Sequence, residues 1–227
     1  MVRIIVTALL AVVIAGYAYA QASFRVGYLP DLVVSTKVNP DWTIVGATET
    51  RIGSPAVPWD ELGGESIAHQ LTDISVIGAR KLGLYTKAAA GYQVRLQGGD
   101  IIHRTIQQYT VVTPVQGRRL AHRIASDQTW RPKQDVEVRL RYRIAFDRPL
   151  QGESVDRGEF YYKFGNEYLG SLQESEVDLE IRVVPALGYV ISDIKKVEVA
   201  LDYRLSDFTR ATGRHTLWTK INAYLKF

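Results

Sequence analysis

The stretch VEVRLRYRIAF, residues 136–146, places Val136, Val138, Leu140, Tyr142, Ile144 and Phe146 on alternate positions, with Glu137, Arg139, Arg141, Arg143 and Ala145 between them. In an extended chain successive side chains point to opposite faces, so the six apolar residues share one face and the charges share the other. A helix would need apolar residues near i, i+3 and i+4, and here it would carry charge on every side. The segment reads as a strand.

The same alternation recurs along the chain. Phe160, Tyr162 and Phe164 oppose Tyr161, Lys163 and Gly165; Val177, Leu179, Ile181 and Val183 oppose Asp178, Glu180 and Arg182. Val197, Val199, Leu201 and Tyr203 oppose Glu198, Ala200, Asp202 and Arg204, and Ala88, Ala90, Tyr92, Val94 and Leu96 form another such face. Residues 42–52, 64–82, 101–112 and 118–130 read as extended with mixed faces. Clusters rich in Gly, Pro and Asp separate these runs. The count is about ten strands, or twelve if residues 64–82 hide a hairpin. An even number would place both chain ends on the same side of a membrane.

The N-terminus carries Arg3, an apolar run over residues 4–16 and the small-x-small sequence Ala18-Tyr19-Ala20. A charged start, an apolar core too short to span a bilayer and a small-residue exit describe a cleavable signal peptide, residues 1–20, with cleavage before Gln21. Residues 21–39 read as a periplasmic lead-in and residues 40–227 as one domain. Lys+Arg 28 against Asp+Glu 24 is too slight an excess, and too evenly interleaved, to imply nucleic acid. Cys 0 excludes disulfides and thiolate sites.

Alternation alone also suits a soluble sandwich or lipocalin-like barrel. The final stretch LWTKINAYLKF, residues 217–227, distinguishes them. Leu217, Thr219, Ile221, Ala223, Leu225 and Phe227 share one face and end on an aromatic residue. This looks like the C-terminal signal, carried here by Leu225 and Phe227, through which outer-membrane barrels meet their assembly machinery. Trp42, Trp130, Tyr109, Tyr168, Tyr189, Tyr203 and Trp218 fall near strand ends, as expected of aromatic belts at the lipid headgroups. The expected fold is all-β, a transmembrane antiparallel up-and-down β-barrel in the bacterial outer membrane, in contact with its lipid and reached through the periplasm.

A succession of short motifs adds a resemblance. His103-Arg104, Gln107-Gln108-Tyr109, Leu120-Ala121-His122-Arg123 with Asp127-Gln128, Arg139-Leu140-Arg141-Tyr142-Arg143 closing on Pro149-Leu150, and Asn166-Glu167-Tyr168 occur in that order. From about Trp42 to Phe227 the chain resembles the uncharacterised outer-membrane family catalogued as domain of unknown function 2490. Ser126-Asp127-Gln128 departs from the Glu-Gln-Arg often found there, keeping an acid. The resemblance implies a barrel in the outer membrane and brings no activity, cofactor or substrate.

If the apolar faces meet lipid, the charged faces must point inward, since Arg or Lys at the bilayer midplane costs about 2–4 kcal/mol. The expected lumen network contains Glu137, Arg139, Arg141, Arg143, Lys163, Glu167, Asp178, Glu180, Arg182, Glu198, Asp202 and Arg204. Arg95 and Lys220 should join it. The ladder of Arg139, Arg141 and Arg143 is expected to pair with Glu159, Glu167, Asp178 and Glu180 of neighbouring strands. Such a network either packs a narrow barrel with ion pairs or lines an anion-attracting pore.

No catalytic, cofactor or metal motif stands out. His69, His103, His122 and His215 are the only histidines. His122 and Asp127, five residues apart on one strand, would point to opposite faces. His215 with Asp207 or Ser206 is the best rim candidate. Three readings follow: a non-enzymatic barrel with a charge-packed lumen, a narrow pore or transporter of an unidentified ligand, and an outer-membrane enzyme with a rim site.

Overall fold

Period-two alternation becomes a closed barrel of eleven staves in the computed structural model of the chain, which describes residues 22–61, 66–115, 118–208 and 213–227. The strands are β1 (Ser23–Lys37), β2 (Trp42–Gly53), β3 (Val57–Pro58), β4 (Ala68–Lys81), β5 (Thr86–Gln97), β6 (Asp100–Val115), β7 (Arg118–Trp130), β8 (Glu137–Pro149), β9 (Phe160–Gln173), β10 (Glu176–Ser192), β11 (Lys195–Ser206) and β12 (Arg214–Lys226). β3 is a two-residue piece that prolongs the edge of β2 along β1. The other eleven strands are the staves, each antiparallel to its sequence neighbour in the wall. The ring closes through β1 and β12, which run parallel from Ser23 opposite Arg214 to Ser35 opposite Lys226.

Ten staves coincide with the ten extended runs of the sequence, and the eleventh is β1. Residues 23–37, expected as a lead-in outside the barrel, form this stave. Pro30 lies at its centre and removes a ladder donor, which in sequence demotes a run to an edge or a loop. Its inward face also mixes Arg25, Gly27, Leu29, Asp31 and Val33, so the charge alternation seen elsewhere is diluted. An odd number of staves closes only through one parallel pair. Ser23 therefore lies at one rim and Phe227 at the other, and the expectation of an even count does not hold. Residues 68–81 make one strand, β4, with a single register shift at Arg51/Ile52 of its partner β2. The expected signal segment and the cleavage position before Gln21 lie outside the described residues.

Phe227 belongs to the closing seam, its N–H donating to the Ser35 carbonyl at 2.8 Å and its own carbonyl accepting from Lys37 at 3.3 Å. Leu225 lies between Val34 of β1 and Lys195 of β11. Between β5 and β6, Gly98 and Gly99 take φ of 60° and 90°, the left-handed pair that a two-residue hairpin needs to match strand twist.

The two faces of the wall differ in chemistry. Leu140 is 62% exposed and Val177 66% on the outside, whereas Asp127 is 0% and Glu198 2% exposed on the inside. Trp42 and Trp130 face outward. Trp218, read from the sequence as the third belt tryptophan, instead turns into the lumen and is 2% exposed. A Cβ on Gly27 or Gly53 would overlap its ring, so these two glycines make the space that admits an indole. At the other end of the lumen Tyr161 lies against Gly188 in the same way. Large inward aromatics set against small residues fill a narrow barrel without distorting its wall.

Candidate functional site

The lumen contains a cavity of about 430 Å³ lined mainly by charged side chains. Because side chains alternate, each stave contributes every second residue to it. Arg139, Arg141, Arg143, Lys163, Glu167, Glu180, Arg182, Glu198, Asp202 and Arg204 line this cavity. Glu137 lies toward a rim, where its carboxylate accepts from Arg131 at 2.9 Å. Asp178 accepts from the backbone N–H of Asp207 at 3.2 Å. Arg95 and Lys220 also line the cavity, with Asp31, Glu49, Arg51, Asp73, Arg104 and Arg123, which the sequence did not assign to the lumen, Arg104 and Arg123 appearing there only as motif residues. These six sit on strands whose two faces are mixed, so no run of alternating charge marks them.

The ion pairs follow register. On β4 and β5, Arg95 grips Asp73 with two parallel hydrogen bonds of 2.7 and 2.8 Å, Asp73 facing Arg95 directly. On β11, Arg204 reaches along its own face to Asp202 at 3.0 and 2.7 Å. Lys220 of β12 bridges the closing seam, 2.8 Å from Glu49 of β2 and 3.2 Å from Asp31 of β1. Bidentate guanidinium–carboxylate pairs of this kind are the strong, geometrically specific ones. Near the second rim, Glu198 accepts from Tyr161 at 2.6 Å, Tyr224 at 2.9 Å and Lys163 at 3.1 Å.

Asp127 is the hub of the wall made by β6, β7 and β8. It is fully buried, 2.5 Å from Arg139, 3.0 Å from Arg141 and 3.5 Å from Arg104. Arg139 and Arg141 of the β8 ladder therefore turn to β7 for their carboxylate, whereas Arg143 lies directly opposite Glu167, one of the acids expected from the sequence. Glu159 bonds the N–H of Asp156 in a loop, and Glu180 pairs with Arg182 on its own strand. Glu167 faces Arg143 in register, and its carboxylate lies 3.1 Å from Arg182 and 3.8 Å from Arg123. Asp127 was visible in sequence as a motif residue. Its role needed the register of β7 against β8, in which it faces Arg139 directly.

The candidate catalytic groups are kept apart. His122 faces outward and shares a 2.8 Å hydrogen bond with the Tyr142 hydroxyl, while Asp127 of the same strand is in the lumen. His215 bonds the Tyr203 hydroxyl at 2.7 Å and stacks on Phe24, and Asp207 pairs with Arg214 at 3.3 Å. His103 makes the same kind of contact with Tyr92, at 2.6 Å. Ser126, outward on β7, accepts from Gln128 at 3.2 Å, and Gln128 is tied to Thr105 and Gln107 of β6. Among the described residues no group of three or more His, Asp or Glu side chains is placed to hold a metal ion.

A family model described as a protein of unknown function, DUF2490, matches residues 26–216. The match takes in most of β1 and stops within β12. No curated protein and no solved structure matches the chain.

Proposed function

For a chain that belongs to the family of unknown function DUF2490, we propose the role of an outer-membrane β-barrel, non-enzymatic, whose lumen is held shut by ion pairs. One observation carries the reading: the wall is apolar outside and charged inside, the inverse of a soluble barrel. Val76, Leu140, Val177, Leu187, Val199 and Ile221 are all exposed, on staves spread around the ring. Soluble monomers rarely show continuous apolar surface beyond a few hundred Å², whereas a lipid-facing apolar band over a polar interior is the plan of a membrane barrel. The polar group of Thr105, Gln107, Ser126 and Gln128 interrupts the band and satisfies its own donors and acceptors.

On this reading the chain is exported with cleavage before Gln21, and the β12 strand ending in Leu225 and Phe227 is what the assembly machinery engages. Trp218 at one end and the Tyr161, Tyr224 and Glu198 cluster at the other narrow the lumen. Purified protein in planar bilayers should give little or no steady conductance, and it should fractionate with outer membranes with Gln21 as its first residue. A large, stable conductance would replace this reading with the pore, which the 430 Å³ cavity favours. Recovery from the soluble periplasm would remove the membrane assignment.

A further inference from the structure

Two arginines face each other across β7 and β8 with no carboxylate between them. Arg123 and Arg143 are direct register partners, and both line the cavity. Like charges directly opposed on one face of a sheet destabilise it. The nearest acid, Glu167, lies 3.8 Å from Arg123 and is engaged by Arg182 at 3.1 Å. Arg143 is the register partner of Glu167, and its guanidinium passes over Gly165, where a Cβ would come within 3.3 Å of it. Among the described residues it makes no hydrogen bond or close ion pair.

Two further arginines bring spare donors to the same cavity. Arg141 gives one nitrogen to Asp127, while its Nε is buried without a partner. Arg104, 6% exposed, donates Nε to Thr129, while its Nη2 is buried without a partner. Buried guanidinium N–H groups left unpaired are costly, and a planar fork of such donors is the arrangement that takes carboxylate or phosphate oxygens in pairs.

We propose that the lumen holds one small soluble oxyanion, the phosphate or carboxylate group of a solute, between Arg123, Arg141 and Arg143. The anion separates the opposed guanidiniums and accepts from Arg143 and from Arg141 Nε, which have no hydrogen-bond partner among the described residues. The cavity lies at the small end of the range for ligand pockets, about 300–1,000 Å³, so the ligand is a small molecule rather than a polymer. The site requires the barrel and its cavity alone and stands or falls independently of the membrane assignment.

The test is thermal unfolding and calorimetry of the full chain in a phosphate-free detergent, with inorganic phosphate, acetate or chloride added at equal ionic strength. Phosphate or acetate should raise the thermal midpoint saturably, with chloride inert, and the stronger of the two names the ligand group. Arg143→Gln and Arg123→Gln should each weaken binding by at least about tenfold, the loss of one charge-assisted hydrogen bond. Arg143→Lys, which keeps the charge and the fold but loses the fork, should bind more weakly than the parent. Arg119→Gln, at an exposed pair with Asp147, should bind as the parent does. Stabilisation that follows ionic strength whatever the anion, undiminished binding in both Arg143 variants, or a response seen only when phospholipid is added would overturn the proposal.

Discussion

The two sides of the lumen are built from the same residue types and balanced differently. In the wall of β11, β12, β1, β2, β4 and β5, Asp31, Glu49, Asp73 and Asp202 meet Arg51, Arg95, Arg204 and Lys220, and Glu198 takes Lys163 of β9, so carboxylates match or exceed cations. In the facing wall of β6, β7 and β8, Arg104, Arg123, Arg139, Arg141 and Arg143 line the cavity, and Arg104, Arg139 and Arg141 share the buried Asp127. The first wall is mostly paired: Arg95 meets Asp73 across strands by register, Lys220 bridges Asp31 and Glu49, and Arg204 and Arg51 turn to Asp202 and Glu49 on their own strands, with Arg51 Nε left buried without a partner. The second is a cluster of like charge around one buried acid, with donors to spare. A charged lumen is thus not uniformly a packing device: one side closes the barrel, and the other is poised toward an anion.

The comparison breaks first at Asp127. Asp127→Ala deprives Arg104, Arg139 and Arg141 of the buried carboxylate they share, and it should destabilise the barrel by about 3–5 kcal/mol, the range for stranding buried charge. Urea unfolding in detergent measures it, and a smaller loss than for any pair on the opposite wall would show that water, not Asp127, neutralises the cluster. On the balanced wall, Arg95→Ala strands Asp73 alone and should cost about 2–4 kcal/mol. That pair is bidentate and nearly buried, with side-chain exposures of 10% and 11%.

Removing a cation from the crowded wall should have the opposite character. Arg143→Gln takes away a charge that opposes Arg123, so in anion-free buffer the stability change should stay below about 1 kcal/mol in either direction. Arg141→Ala should likewise cost less than Arg95→Ala, because Asp127 keeps Arg139 and Arg104. If Arg141→Ala proves the more damaging, the two walls are not distinct. The smallest effect belongs to Arg119→Ala at the rim, where the cation is 59% exposed and the change should fall within about 0.5 kcal/mol.

Local patterning told much of this in advance. The run 136–146 and its counterparts announced ten staves, because side-chain alternation is a property of a single extended strand and needs no partner. The same alternation sorted Arg139, Arg141, Arg182, Glu198 and Arg204 from the apolar residues beside them. β1 escaped because Pro30 and a mixed inward face erase the pattern that identifies a strand, while its pairing with β2 and β12 restores the ladder around them. Trp218 escaped because an aromatic near a strand end reads as a belt residue until Gly27 and Gly53, more than 160 residues earlier in the chain, are seen to make room for it.

The sequence by itself determined that the chain is a β-protein with one apolar and one charged face per stave, and where most strands turn. Tertiary structure alone decided that eleven staves close through a parallel seam, that Ser23 and Phe227 lie at opposite rims, and that Asp127 gathers the arginines of the neighbouring strands. The physical reason is the range of the interaction. Alternation is written residue by residue, whereas closure, register and ion-pair partners depend on which distant strand comes to lie alongside, and a slip of one residue in that pairing would exchange every inward charge for an outward apolar side chain.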